Sequence, residues 1–400
     1  MDIRSHRSLL LALPLAALLL SGCGGGGGDA GTPITTPSSS TSGTLALSLT
    51  DAPSCGFDHV YVTVQKVRVN ASTTASDADA GWIDLNVGPT QRFDLLALSN
   101  GVLASLGQVP LPAGHYSQLR LVLADNDSAH PLANSVAPTG GAEVALTTPS
   151  GQQSGLKMNA DITIAANQLA DFVLDFDACK SIVSAGNSGK WLLKPVVTVL
   201  PNLLSGVSGY VDASVANGGT TVSLQQGGVV IKATAPDAAG KFVLAPVAPG
   251  AYDLVVKATA RASMVITGVP VTQSTVTVLS STVQPLSPAL AMDGRVSGNV
   301  TAAAQPTDAL VAARQTLTNG TTVTVAETVS DSTSGAYTLT LPAAPPWVAP
   351  YVAAPASYAF ATDLNAGVSY TLKATSNGMS QTAGPVAIAA GITATANFVF

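Results

Sequence analysis

The sequence predicts an all-β protein built from three consecutive antiparallel β-sandwich units. Many short segments alternate apolar and polar residues with a period of two, as strands with one buried face do. The chain holds 37 glycines and 25 prolines, which favour turns and strands over helices. One set of short segments recurs in the same order, which is typical of a duplicated domain. We therefore expect units at residues 44–201, 206–290 and 294–400.

An export signal is predicted at residues 1–22. Arg4 and Arg7 precede an apolar run at 9–20, which is shorter than the ~20 residues needed to cross a bilayer. The run ends in Leu-Ser-Gly-Cys, which resembles the bacterial lipobox. This resemblance implies that Cys23 is lipidated and that the chain is cut before it. The alternative is an ordinary secretory signal followed by an unmodified cysteine.

The lipobox resemblance also implies a membrane as partner. Two or more acyl chains, palmitate among them, give stable attachment because each buried CH₂ contributes about 0.8 kcal/mol. Gly24 directly after the cysteine implies sorting to the cell outer membrane. Residues 23–43 are rich in Gly, Ser and Thr, which predicts a flexible tether with a mean reach of about 25 Å.

The composition excludes two classes of protein. With 46% hydrophobic and 10% charged residues, the chain is too apolar to be disordered. The formal net charge of −6 and the lack of a basic stripe exclude nucleic acid as the expected partner.

Two further cysteines, Cys55 and Cys179, follow the predicted lipidation site. Export would place them in an oxidising compartment, where we expect a disulfide between them. Such a bridge would stabilise the fold by about 4–5 kcal/mol in the chain-entropy model. The alternative is two buried free thiols.

The first unit contains four clear strand patterns and one irregularity. After Val64 the apolar phase slips, so that Val67 and Val69 carry the buried side, and this predicts a β-bulge near Gln65–Lys66. The residues expected to face inward are Leu45, Leu47, Leu49, Val60, Val62, Val64, Leu119, Leu121, Leu123, Phe172, Leu174 and Phe176.

Other segments of the first unit carry separate predictions. Asp171, Asp175 and Asp177 alternate with apolar residues, and we expect them on a solvated face. Residues 190–200 are nearly all apolar and predict a central strand whose pairing is limited by Pro195. Residues 95–106 favour one short helical turn.

The second and third units share four landmarks. They lie at 208–211, 239–244, 248–258 and 268–279 in the second unit, and at 297–300, 334–341, 366–374 and 384–400 in the third. The landmarks include a Gly-x-Tyr fragment that also occurs at 114–116. We expect its tyrosine to bury the ring and to hydrogen-bond through the hydroxyl. The Pro-rich residues 342–355 are predicted to be an insertion in the third unit.

Two family resemblances cover most of the chain. Residues 44–200 resemble the bacterial lipoprotein domain of unknown function 4382 (DUF4382), a family without an established activity, which implies no catalytic residue. The matching motifs are LSLTDAP, FDHVYVTVQKVRV, GWIDL, FDLLALSNG, LPAGHYSQLRLVL, DFVLDFDACKSIV and GKWLLKPVV. Residues 206–290, and less closely 294–400, resemble carboxypeptidase regulatory-like sandwiches of the prealbumin-like class, through GKFVLAPVAPGAYDLVV. That resemblance implies a structural or binding appendage.

No catalytic constellation is predicted. The sequence contains no G-x-S-x-G, H-E-x-x-H or Walker motif. Three histidines follow the signal, His59, His115 and His130, and their spacing does not support a catalytic triad. We therefore expect no enzyme activity and no cofactor.

Two sets of residues are candidates for binding. Asp51, Asp125 and Asp127 could contribute to a Ca²⁺ site, although aspartates also stabilise turns by bonding their own backbone. Trp347 and Tyr351 lie among prolines, and exposed rings in such a segment can stack on sugars or partner chains. In the alternative, Trp347 folds back over its own sandwich.

Together these features predict a lipid-anchored cell-envelope protein with a non-catalytic binding or scaffolding role. Its partner would be a polysaccharide or another envelope protein. The alternative is that the first unit binds or senses a small ligand or Ca²⁺. A hydrolase is the third hypothesis.

Overall fold

The computed structural model describes residues 42–51, 56–85, 89–148, 155–203, 205–302, 309–353 and 357–400. Strands make up 56% and helices 4% of the structure, which confirms the all-β class. Within the described ranges, no helix is both long and apolar enough to cross a membrane. The predicted signal, Cys23 and most of the tether lie outside these ranges.

The first unit packs two sheets around one core. Its strands are β1 (Ser42–Asp51), β2 (Phe57–Asn70), β3 (Ile83–Leu85), β4 (Gln91–Asp94), β5 (Ala104–Pro112), β6 (Gly114–Leu123), β7 (Ser135–Pro138), β8 (Val144–Thr147), β9 (Leu156–Ile164), β10 (Leu169–Phe176), β11 (Ile182–Ser184), β12 (Trp191–Leu193) and β13 (Val197–Pro201). The smaller sheet has the order β13-β10-β1-β5. The larger has the order β11-β12-β8-β7-β2-β6-β9, with β3 and β4 also paired to β2. The inward-facing residues predicted from the alternation are all buried between the sheets.

The β-bulge predicted in β2 is present. Pairing of β2 with β6 shifts register between Val64 and Lys66, and the valines on either side of the shift stay buried. One extra residue therefore returns the apolar side chains to the core, as the phase slip in the sequence indicated. The expected helical turn is a 3₁₀ helix at Leu95–Leu98.

The end of the first unit differs from expectation in two respects. A short helix, α1 (Ala178–Ser181), is capped by Asp177, whose side chain accepts a hydrogen bond from the backbone N–H of Lys180. The apolar stretch 190–200 is not one central strand. It divides around Pro195 into β12, in the larger sheet, and β13, at the edge of the smaller sheet.

The second and third units follow one plan. The strands of the second unit are β14 (Gly206–Tyr210), β15 (Thr221–Gln226), β16 (Val229–Thr234), β17 (Lys241–Leu244), β18 (Gly250–Lys257), β19 (Met264–Val271) and β20 (Val276–Val278). Those of the third segment are β21 (Asp293–Thr301), β22 (Leu310–Thr316), β23 (Thr322–Val329), β24 (Ala336–Pro342), β25 (Trp347–Pro350), β26 (Ala361–Thr362), β27 (Ser369–Ser376), β28 (Met379–Ala387), β29 (Thr393–Thr395) and β30 (Phe398–Val399).

Corresponding strands pair in the same order in both units. The small sheet β17-β14-β20 matches β24-β21-β29, and the large sheet β16-β15-β18-β19 matches β23-β22-β27-β28. The duplication predicted from the landmarks is therefore visible in the pairing. The sheets are mixed rather than purely antiparallel, because β20 and β29 run parallel to β14 and β21.

The Gly-x-Tyr tyrosines behave as expected. Tyr116 and Tyr252 are buried, and each hydroxyl donates a hydrogen bond to the carbonyl oxygen four residues earlier, of Pro112 at 2.9 Å and of Ala248 at 2.8 Å. The polar end of each buried ring is thus satisfied by a carbonyl just before the strand that carries the tyrosine.

Buried contacts join the units. Val255 and Val265 of the second unit belong to the hydrophobic core of the third. Gln225 is fully buried; its side-chain amide donates to the Thr324 carbonyl oxygen at 2.7 Å, and its side-chain oxygen accepts from the Thr324 N–H at 2.7 Å. Asn100 of the first unit accepts a hydrogen bond at 2.5 Å from the backbone N–H of Val243 in β17. The described sandwiches therefore form one packed body.

The expected solvated face of β10 is wrong for Asp175. Its side chain is only 12% exposed, and its Oδ1 lies 2.6 Å from Nζ of Lys232 in the second unit. The polar face of β10 at Asp175 is therefore covered by β16, and Lys232 of that strand supplies the opposite charge. Within the smaller sheet, β10 lies between β13 and β1.

Candidate functional site

The Pro-rich insertion forms a strand in the neighbouring sandwich. Residues Trp347–Pro350 are β25, which pairs in parallel with Met264–Thr267 of β19 in the second unit. The Trp347 N–H donates to the Ser263 carbonyl oxygen at 2.8 Å, and the Tyr351 N–H donates to that of Thr267 at 2.8 Å. The segment is therefore a paired strand and not a free loop, and its Val348 packs on the core of the third unit.

This strand builds one wall of a groove on the second unit, which we call the aromatic groove. Its cavity volume is about 470 Å³, within the range of small-ligand sites. Trp347, Tyr358 and Phe360 supply three aromatic rings, and the Tyr358 and Phe360 ring centroids lie 5.7 Å apart. The segment after β20 also lines the groove and forms its polar wall, with the side chains of Ser280, Ser281, Gln284 and Ser287.

Polar groups in the aromatic groove differ in whether they already have hydrogen-bond partners. Ser280 Oγ is engaged at the wall, since it donates to the Tyr210 carbonyl oxygen at 2.9 Å and accepts from the Tyr210 N–H at 2.7 Å. The Tyr358 hydroxyl is buried and has no hydrogen-bond partner within the described residues. Burial, with a smaller contribution from Tyr351, raises the pKa of Tyr358 to about 12. The hydroxyl is therefore a neutral donor at physiological pH.

The sequence located part of this site. It singled out Trp347, which lines the aromatic groove, and Tyr351, which packs on the core of the second unit. It missed Tyr358 and Phe360, which follow the insertion in the run Ser-Tyr-Ala-Phe. Two aromatic residues close together in a chain with only 5% aromatics were a usable signal, but the polar residues that line the same groove lie about seventy residues earlier in the chain.

The candidate metal ligands do not converge. Asp51 is buried and accepts a hydrogen bond at 2.9 Å from the N–H of Ala178, while Asp125 is exposed. Asp127 accepts from the N–H groups of Ala129 and His130, as the turn interpretation predicts. Among the residues that the structure describes, no three His, Cys, Asp or Glu side chains form a group able to hold a metal ion.

Only one of the two cysteines of the expected disulfide lies in the described part of the chain. Cys179 lies in α1, whereas Cys55 lies outside the described residues. The bridge between them therefore stays a prediction, as does the lipidation of Cys23.

Comparison with known families confirms one of the two resemblances. The family described as domain of unknown function DUF4382 matches residues 42–195, which is the part of the chain where the sequence motifs placed this resemblance. The carboxypeptidase regulatory-like assignment of the later units stays a prediction. No curated protein matches the sequence.

Several solved structures are similar to parts of the chain. A type II cohesin–X-dockerin complex from Acetivibrio cellulolyticus is 24% identical over 22% of this chain and 58% of that chain, with a TM-score of 0.18. The Bacillus anthracis TIE protein is 11% identical over 90% and 50%, with a TM-score of 0.17. The pilus adhesin SpaC from Lactobacillus rhamnosus GG is 10% identical over 90% and 44%, with a TM-score of 0.15. At these TM-scores the likenesses carry no argument about function.

Proposed function

We propose that the protein is a lipid-anchored, non-catalytic binding protein of the cell envelope that holds a polysaccharide chain in the aromatic groove. The observation that carries this proposal is that Trp347, Tyr358 and Phe360 line one groove together with hydroxyl and amide side chains. Sugar rings present C–H groups on one face and hydroxyls at the edge. Aromatic faces and short polar side chains complement those two features.

The anchor and the packed body support the same role. Cys23 would hold the protein at the outer membrane, and the tether would set the groove away from the lipid surface. Sandwiches joined by buried contacts would present the groove in one orientation, which lowers the entropy lost on binding. A globomycin-sensitive shift in electrophoretic mobility, absent from Cys23→Ala, is the expected sign of the anchor. Unaltered processing of that variant would contradict it.

Binding is tested with the lipid-free body, residues 24–400, on an array of envelope polysaccharides. We expect retention of at least one glycan, loss of about tenfold or more in affinity for Trp347→Ala, and recovery in Trp347→Phe, because a smaller ring still stacks. Leu364→Ala is the control, since this side chain is 77% exposed and does not line the groove.

Gln284→Ala separates binding from folding. Gln284 is exposed on the polar wall, so its truncation removes a hydrogen-bonding group without opening the core. Weaker binding at an unchanged melting temperature is expected. The bound glycan should be recovered at its original chain length, as a non-catalytic role requires. Absence of binding to every glycan, or shortening of the glycan, would contradict the proposal.

A further inference from the structure

A second cavity lies where the first, second and third units meet, and we call it the junction cavity. Its volume is about 470 Å³, and all three units contribute to its walls. The charged side chains that line it are Asp175, Asp177, Lys180, Lys232, Lys257 and Glu327. A site of this size with charges of both signs suits a small polar molecule.

One lysine in the junction cavity is almost completely buried. The Lys232 side chain is 3% exposed, and its Nζ lies 2.6 Å from Asp175 Oδ1. Apart from this ion pair, neither atom has a hydrogen-bond partner within the described residues. An ammonium carries three N–H donors, so Lys232 retains unmet donors at the cavity wall. Leaving buried donors unmet is unfavourable unless another group bonds them.

A surplus of negative charge lies around Lys180. Its Nζ is 3.1 Å from Asp177 Oδ2 and 2.6 Å from Glu327 Oε1, so two carboxylates share one ammonium. Although burial alone would lower it, these carboxylates raise the pKa of Lys180 above its usual range. This part of the wall therefore carries one uncompensated negative charge.

A surplus of positive charge lies at Lys257. This lysine lines the cavity, is half-buried, and forms no ion pair within the described part of the chain. Burial lowers the pKa of Lys257, and Asp293 opposes that change only in part. An ammonium held at a cavity wall without a contacting carboxylate is a ready site for an anion.

We propose that the junction cavity binds a small zwitterion of the free amino-acid class. The ligand carboxylate would lie toward Lys257 and the unmet donors of Lys232, and its ammonium toward Asp177 and Glu327. The separated surplus charges on the wall complement the two charges of such a ligand. The hydroxyls of Thr221 and Ser223 line the same cavity and offer further hydrogen bonds. This site is separate from the aromatic groove, so neither proposal depends on the other.

The competing ligand classes fit less well. Inorganic phosphate would bring a second negative charge toward three carboxylates. A simple monocarboxylate would not neutralise the surplus negative charge around Lys180, and a simple amine would not neutralise the charge of Lys257. The zwitterion is favoured because it compensates both charges.

Calorimetric titration of the lipid-free body tests the proposal, with each common L-amino acid as a probe and with acetate, methylamine and inorganic phosphate as comparisons. We expect at least one amino acid to bind about tenfold or more tightly than any of the three comparison probes. No saturable heat with any amino acid would overturn the proposal. Equal affinity for acetate, methylamine or phosphate would also overturn it.

Two variants assign the ends of the ligand. Lys257→Met is expected to weaken amino-acid binding about tenfold or more while keeping the melting temperature, because it removes a poorly compensated charge. Glu327→Gln is expected to weaken amino-acid binding but not the weaker binding of acetate. Lys241→Met is the matched control, since Lys241 is exposed on the same unit and does not line the cavity. Undiminished amino-acid binding by Lys257→Met would overturn the assignment.

Discussion

At the scale of single residues, the buried ion pair of Asp175 and Lys232 joins the first two units. Ion pairs in water contribute little, but a buried pair becomes strongly destabilising when one partner is removed. The 2.6 Å contact lies among residues from both units, so its loss acts on their association as well as on each core.

Replacing Lys232 alone by Met is expected to lower the free energy of unfolding by about 3–5 kcal/mol at pH 7, because Asp175 is left charged and buried. The double variant with Asp175→Leu should recover most of the loss. The deficit of the single variant should shrink as the pH falls, since protonation neutralises Asp175. Urea denaturation gives the free energy of unfolding of the unaltered protein, the single variant and the double variant. Lys66→Met is the control, because its pair with Asp84 is exposed and should contribute less than about 1 kcal/mol.

Lys180 gives a prediction about alkaline pH. Asp177 and Glu327 raise its pKa, so the folded protein keeps a proton that the unfolded chain releases near pH 10.4. Above that pH the unfolded state binds fewer protons. The stabilisation from this group is therefore fully present below about pH 10 and is lost as the pH rises through the folded pKa. Lys180→Met should show a shallower alkaline decline in the free energy of unfolding. An unchanged slope would contradict the assignment.

At the scale of elements, two glycines show why the repeated landmarks keep their form. Gly240 and Gly335 occupy corresponding turns, with φ of +84° and +69°. A Cβ on Gly240 would collide with the carbonyl oxygen of Val211, and one on Gly335 with that of Val300. In contrast, Gly114 has an ordinary backbone conformation and open space around it, so its fragment does not depend on glycine geometry there.

Substituting Ala for Gly240 or Gly335 is therefore expected to lower the free energy of unfolding by more than about 1 kcal/mol, from backbone strain and the collision together. Gly114→Ala should be nearly neutral. Thermal and urea unfolding of the three variants gives the comparison. Equal effects at all three positions would show that the turn geometry is not what these glycines supply.

The local elements were predictable from the sequence where neighbours in the chain decide them. The phase slip at Gln65–Lys66 predicted the bulge because alternation is read within one strand. The buried side of β10 was predicted for the same reason. The exposure of Asp175 was mispredicted because its covering strand, β16, belongs to another unit. The strand at Trp347–Pro350 was missed because its partner is β19, again in another unit.

At the scale of the whole molecule, the units are coupled more tightly than domains that are joined only by flexible linkers. The second and third units share the strand pair β19–β25 and part of one core. Glu327 and Asn100 carry contacts that tie the first unit to the others. Separate domains joined only by linkers would unfold independently, whereas interfaces of this kind favour joint unfolding.

We expect the lipid-free body to melt in a single calorimetric transition. The double variant Gln225→Ala with Glu327→Ala should split this transition, because it removes buried bonds between units but leaves each core intact. Gln226→Ala with Lys190→Ala is the control pair, since both side chains are exposed. Two resolved transitions in the unaltered protein would contradict the coupling.

The strand β25 also constrains how the number and order of repeats in such a protein can change during evolution. A gene that lost the third repeat would leave β19 with a bare row of backbone donors and acceptors, open to pairing with any passing chain. A gene that gained a foreign repeat in its place would face the same gap. Duplication could create this pair of sandwiches, but separating them by domain shuffling would expose the unpaired edge of β19 and favour aggregation.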